Sequence, residues 1–179
     1  MIKGKYTSLR AIEIEDLAQL LVWRNKPEMR RYFREYRELN NAQQIHWFEQ
    51  KVNNDISTRM FSILDSGGKL IGAAGLCFID WVNRSADFSI YIGLDGLYID
   101  TKFAPDAATA MINYGFGELG LHRIWCEIYS FDLAKIKFLK QLGFNQDGKH
   151  RESHWSESKW HDSLFYGLLS TDPRPQEKI

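Results

Sequence analysis

Residues able to do chemistry gather in three stretches of this chain. Trp23, Arg24, Asn25 and Arg30, followed by His46 and Trp47, form the first, and Asp80-Trp81 repeats its character further on. Indoles stack on sugar rings and peptides while arginine and aspartate form directed hydrogen bonds, so this mixture suits a polar small molecule. Core packing competes for each aromatic, Trp47 above all. Asp87, the second, is a carboxylate inside a strand-like run that can accept a proton or simply pair with Arg84 or Arg123. The third is Ile99-Asp100-Thr101-Lys102-Phe103-Ala104, a loop running into a helix whose first backbone N–H groups make a seat for an anion. Lys102 adds charge to such a seat, and Asp100 opposes an anion there unless its carboxylate turns away or caps the helix.

Several other chemistries are not expected. No Ser-His or Cys-His arrangement offers a covalent nucleophile. The five histidines come without an H-E-x-x-H pattern or a cysteine cluster, so no metal is expected. Cys77 and Cys126 sit in strand-like runs without C-x-x-C spacing and read as core residues of a reduced, cytoplasmic protein. Lysine plus arginine equals aspartate plus glutamate at 23 each, which leaves no global field to steer the chain to nucleic acid or an anionic membrane. The N-terminus has no apolar run of signal length, and no stretch approaches the roughly 20 apolar residues of a membrane helix. Trp155 and Trp160 flank a turn and offer a homodimer contact.

The elements that must hold these residues follow from periodicity. Its 179 residues suit one α/β domain, expected over 1–170, with a disordered tail over 171–179. A strand over 5–11 precedes a helix from Glu13 to Arg24 with Ile14, Leu17, Leu20 and Leu21 on one face. Pro27 starts a short helix, and Asn40 or Asn41 caps another carrying Ile45, Trp47, Phe48 and Val52. Residues 59–64 and 70–78 make a hairpin around a Gly-rich loop. Phe88, Ile90 and Ile92 alternate with Asp87, Ser89 and Tyr91, as in a half-buried strand over 86–93. A helix over 104–119 ends at Gly120, a strand runs over 121–128, and Asp132 caps a helix over 133–142 that stops at Gly143-Phe144. Two strands, 144–153 and 160–170, close the chain.

That order, with the wording "ELGLHRI" (Glu118 to Ile124) and "FLKQLGF" (Phe138 to Phe144), resembles the GNAT superfamily of N-acetyltransferases. Within it, "WRN" (Trp23 to Asn25) and "GxxR" (Gly148 to Arg151) look most like the branch of ribosomal-protein N-terminal acetyltransferases and amino-sugar N-acetyltransferases. The resemblance implies a single-domain GNAT fold with a mixed, mostly antiparallel sheet that splays between its fourth and fifth strands to admit acetyl-CoA, the donor for an amine acceptor. It places the pantetheine arm along Ile90, Tyr91 and Ile92 and near Asp132, and the pyrophosphate at Ile99, Thr101, Lys102, Phe103 and Ala104. It makes Asp87 the base and puts Trp23, Arg24, Asn25, Arg30, His46, Trp47, Asp80 and Trp81 at the acceptor's mouth. The acceptor it favours is a nucleotide-linked amino sugar, with a protein N-terminus or a non-catalytic binding module as the alternatives. Relatives often carry a proton-donating tyrosine where this chain has Leu139, so either Tyr129 or Ser130 serves or the thiolate leaves unaided.

Overall fold

A computed structural model describes residues 1–174. The strands are β1 (Ile2–Lys3), β2 (Thr7–Ala11), β3 (Arg59–Asp65), β4 (Leu70–Asp80), β5 (Ser85–Ile92), β6 (Arg123–Tyr129), β7 (Asn145–Ser156) and β8 (Lys159–Leu169). The helices are α1 (Leu17–Asn25), α2 (Pro27–Arg30), α3 (Asn41–Trp47), α4 (Phe103–Gly117) and α5 (Leu133–Gln141). One sheet takes the order β1-β2-β3-β4-β5-β6-β8-β7. Every neighbouring pair is antiparallel except β5 and β6.

Strand alternation divides the chemistry between the two faces of the sheet. Ala86, Phe88, Ile90 and Ile92 of β5 join Ile124, Cys126 and Ile128 of β6 in a core shared with Ala107, Ala108 and Met111 of α4 and Phe138 and Leu139 of α5. Tyr91 turns to the other face, into a second cluster with Leu17, Leu20 and Trp23 of α1. Asp87 shares that second phase, so the strand that anchors the core also aims a carboxylate towards the N-terminal helices. The first turn of α4 is tied down by Asp106, whose carboxylate accepts from the N–H groups of Lys5, Tyr6 and Thr7 at 2.7, 2.9 and 2.8 Å.

Several local expectations need adjustment. The helix expected from Glu13 begins as a single 3-10 turn over Ile14–Asp16, and Ile14 is 59% exposed rather than on the apolar face. Asp16 explains the turn: its carboxylate accepts from Glu13 N–H, Arg10 and Ser62, which fixes the backbone before α1 starts. Asn40 caps α3 in a reciprocal capping box with Gln43, while Ile45 is exposed and Phe48–Asn53 continues as a π-helical turn. Asp132 caps α5 by accepting from Lys135 N–H at 3.0 Å. In the expected tail, Asp172 accepts from Leu169 N–H and Arg174 reaches Asn113, and 175–179 lies outside the described residues. No helix among the described residues is long and apolar enough to cross a membrane.

Candidate active site

Strands β5 and β6 pair only through Ser85–Arg123, Ala86–Ile124 and Asp87–Trp125. Beyond Asp87 they part, and the β6-facing edge of β5 meets no neighbouring strand until the Ile92 N–H reaches the Tyr98 carbonyl at 2.7 Å. An open strand edge of this kind can pair with the amides of an extended ligand. The expected site residues fit it unevenly. Ile92 has its amide committed to Tyr98, and the Tyr91 ring packs edge-on against Phe33 with centroids 5.3 Å apart. Ile90, two residues before Ile92, presents its backbone to the gap by the alternation of a strand.

Asp87 lies where the strands part, 5% exposed. Its partner is neither Arg84 nor Arg123. The Arg84 carbonyl accepts from His122 and Arg123 N–H, and the Arg123 guanidinium pairs with Asp147 at 2.6 Å. Instead Arg34, from the irregular segment between α2 and α3, donates through Nη1 to Asp87 Oδ2 at 2.6 Å and through Nε to Glu127 Oε2 at 3.3 Å. Burial pushes the Asp87 carboxyl above the usual aspartate range, and Arg34 holds it back in part. Its proton affinity therefore exceeds that of an exposed aspartate, as a base requires. Burial also pushes the thiols of Cys77 and Cys126 up to about 12, so neither is a thiolate at neutral pH and attack through sulfur is disfavoured.

The anion seat at the start of α4 is built and self-occupied. Asp100 accepts from the N–H groups of Lys102, Phe103 and Ala104 at 2.9, 2.8 and 2.7 Å, so its carboxylate caps the helix in the place an anionic ligand would take. The Lys102 ammonium rests over the rings of Tyr6 and Phe103, 5.2 and 4.9 Å from their centroids. Thr101 and Ile99 flank this turn, with Ile99 packed against both cores. Asp132 does more than cap: it accepts from the Tyr98 hydroxyl at 2.5 Å, with Tyr98 stacked on Tyr32. Burial raises both groups, and a neutral tyrosine donating to a carboxylate satisfies the pair without an isolated buried charge.

Of the residues expected at the acceptor's mouth, Arg24 and Trp47 line the cleft over Asp87, about 330 Å³, together with Arg34, Glu35 and Lys51. His46 joins Arg24 and Trp47 in an adjoining groove of about 710 Å³ between α1 and α3. The other five belong to the scaffold or its rim. Trp23 is 6% exposed and lies so close to Gly93 that a Cβ there would sit 2.0 Å from its ring, so the indole is a core residue. Asn25 exchanges both side-chain bonds with the Leu39 backbone at 2.7 and 2.9 Å. Arg30 pairs with Glu38 at 3.6 Å, and Asp80 caps the turn through Val82 and Asn83. Trp81 donates to the Ile56 carbonyl at 3.2 Å and lies at neither cleft. Leu139 is fully buried in the core, and Tyr129 stacks on His154 with centroids 3.5 Å apart. The spacing signal missed Glu127, which follows Trp125 by two on the strand beside Asp87 and so shares its face. It also missed Arg34, whose irregular segment has no periodicity to read.

Comparison with known proteins agrees with this architecture. The model of the acetyltransferase (GNAT) domain matches residues 7–145. A spermidine N(1)-acetyltransferase of Vibrio cholerae is 25% identical over 157 residues, covering 87% of this chain and 88% of that protein. A spermidine N(1)-acetyltransferase of Escherichia coli is 26% identical over 161 residues, covering 87% and 82%. The crystal structure of the Vibrio cholerae spermidine N-acetyltransferase in complex with CoA and spermine has a TM-score of 0.85 at 23% identity, covering 94% of this chain and 98% of that one. That last likeness is one of fold. Polyamine enzymes lie outside the branch suggested by the "WRN" and "GxxR" wording, which these relatives do not support.

Proposed function

The chain belongs to the acetyltransferase (GNAT) domain family, and from that premise we propose that Asp87 receives the proton of a primary amine that takes acetyl directly from acetyl-CoA. The observation that carries this is a buried carboxylate at the point where β5 and β6 part, already holding a nitrogen cation at 2.6 Å. An amine arriving as ammonium gives one proton to Asp87, and its freed lone pair forms the C–N bond at the thioester carbonyl. Breaking the C–S bond then releases the CoA thiolate, and the second amine proton leaves to the thiolate or to water. No covalent enzyme intermediate is needed, in keeping with the two high-pKa thiols.

The acceptor we infer carries an anionic portion beside its amine, as a nucleotide-linked amino sugar does. The inner cleft sets Arg24, Arg34, Lys51 and Lys135 against Glu35, Asp55, Asp87 and Glu127, and so has no net charge. The outer groove sets Arg24, Arg37 and Lys51 against Glu35 alone, beside the Trp47 ring and a Gln44 amide nitrogen that is buried without a partner among the described residues. A polycation such as spermidine, the substrate named for the Vibrio and Escherichia relatives, gains nothing from that groove, whereas a phosphate or carboxylate does. The test is thiol release from acetyl-CoA with three acceptors in parallel: a nucleotide-linked amino sugar, spermidine and a peptide N-terminus. Preference for the amino sugar supports the inference. Preference for spermidine overturns the anionic acceptor while leaving the acetyl-transfer chemistry intact.

A further inference from the structure

Arg34 sits in a box with four walls. Asp87 of β5 and Glu127 of β6 supply the carboxylates, at 2.6 and 3.3 Å. Phe78 of β4 and Trp125 of β6 supply two aromatic faces, each ring centroid 5.7 Å from the guanidinium carbon. Phe78 holds a φ of 50°, a left-handed conformation that is costly for a bulky side chain, where the register of β4 on β5 shifts between Cys77 and Asp80. The bulge leaves the ring 62% exposed at the mouth of the box rather than buried beneath the sheet. Two carboxylates and two ring faces around one nitrogen cation are a general design for recognising ammonium.

The cation within is firmly paired, and its way out to solvent is open. Arg34 comes from a segment without regular structure, anchored on one side by the Arg31–Glu157 ion pair and on the other by the Leu39–Asn25 bonds. Its side chain is 41% exposed, so rotation about its own torsions carries the guanidinium into solvent without moving either anchor. The carboxylates it leaves behind are much less exposed, 7% for Asp87 and 26% for Glu127, and need a replacement cation.

We propose that the Asp87, Glu127, Phe78 and Trp125 box is the seat of the acceptor's ammonium, and that Arg34 is an internal stand-in which the acceptor displaces. This rests on the acetyl-transfer reading and names the part of that site which selects a primary ammonium. Glu127 is then a positioning residue that shares the cation with Asp87, and Arg34 sets how strongly an amine must bind to enter.

The experiment uses methylammonium chloride as the probe, at pH 8 and without acetyl-CoA, with sodium chloride matching the ionic strength. Calorimetry and thermal melting are read on wild type, Arg34→Ala, Arg34→Gln and Arg34→Ala/Glu127→Gln. Saturable binding to both single variants, at least tenfold tighter than to wild type and weakened at least tenfold by Glu127→Gln, is the expected result. Arg34→Gln keeps the aliphatic stem and serves if the alanine variant does not fold. Equal affinity in wild type and the single variants, or binding indifferent to Glu127, overturns the proposal. Because the readout is binding of a probe that cannot be acetylated in the assay, it is independent of turnover. If thiol release then fails with every amine, the parent reading falls while the cation seat stands.

Discussion

The most informative single perturbation is Asp100→Ala, because it should move stability and cofactor affinity in opposite directions. Asp100 accepts three backbone N–H bonds at the start of α4, between 2.7 and 2.9 Å. Losing a helix cap costs about 1 kcal/mol. For a domain of this size that lowers Tm by roughly 2–4 °C. The same substitution frees the three amides for an anion and removes a negative charge from beside it. Two unit charges about 4 Å apart repel by roughly 1 kcal/mol in water and roughly 4 kcal/mol at an effective dielectric near 20. The turn is open to solvent, so the lower figure applies, and CoA should bind about fivefold tighter. Calorimetric titration of CoA gives the affinity, and melting curves with and without CoA give the stability. Asp100→Asn, which keeps an accepting oxygen but no charge, should retain more of the cap and most of the gain. Weaker CoA binding by Asp100→Ala would refute the reasoning, because Asp100 would then support the ligand rather than occupy its place.

Other outcomes follow from the same contacts. Asp87→Asn should lose about 10²-fold in kcat/KM near neutral pH, the lower end of what a positioned base supplies, and the deficit should shrink as pH rises and free amine accumulates; superimposable pH profiles would remove Asp87 from the mechanism. Arg34→Gln removes a cation that holds the Asp87 carboxyl down, so the acid limb of the kcat/KM profile should shift to higher pH, and an unmoved limb would contradict the pairing. Arg24→Ala should raise KM for the acceptor about tenfold and leave KM for acetyl-CoA unchanged, since Arg24 lines both the cleft over Asp87 and the outer groove. Burial alone would raise the Asp16 carboxyl, but bonds from Arg10, Glu13 N–H and Ser62 outweigh it and hold it below the usual range. The stability this confers is therefore present above the unfolded-state value near ~3.9 and lost as pH falls through the lower folded one; urea titration should find Asp16→Ala less stable by about 3 kcal/mol and less sensitive to acid in that window.

The parts of this molecule that the sequence made legible are those governed by one periodic element at a time. Phe88, Ile90 and Ile92 announce a strand, Asp132 announces a cap, and "ELGLHRI" and "FLKQLGF" announce the family, because each depends on neighbours within a dozen residues. The role of Trp23 was not legible. Its place beneath Gly93 depends on a crossing between α1 and the end of β5, some seventy positions away in the chain. The Arg34–Asp87 pair is likewise separated by 53 positions, and nothing in the irregular segment after α2 marks Arg34 apart from Arg30, Arg31 or Arg37. Asp100 read either as an obstacle to an anion or as a cap on the helix, because its charge was visible and its conformation was not. Only the three N–H bonds show that the carboxylate uses the anion seat itself.

Asp100 and Arg34 meet parallel needs in this site. A cradle of backbone N–H groups and a pair of low-exposure carboxylates are each costly to leave without a partner. The chain meets the first need with its own carboxylate and the second with its own guanidinium, each of the same charge as the ligand group it replaces. Binding then becomes exchange, and the free energy gained from either charged contact is the difference between two similar interactions rather than the full strength of one. Discrimination among acceptors must consequently come from what lies beyond the charged atoms. That region is the groove of Arg24, Arg37, Lys51 and Trp47, where none of the described residues stands in as a partner for the buried Gln44 amide. An amine that fills only the cation seat competes with Arg34 on nearly equal terms, whereas one that also reaches the groove adds contacts Arg34 cannot make.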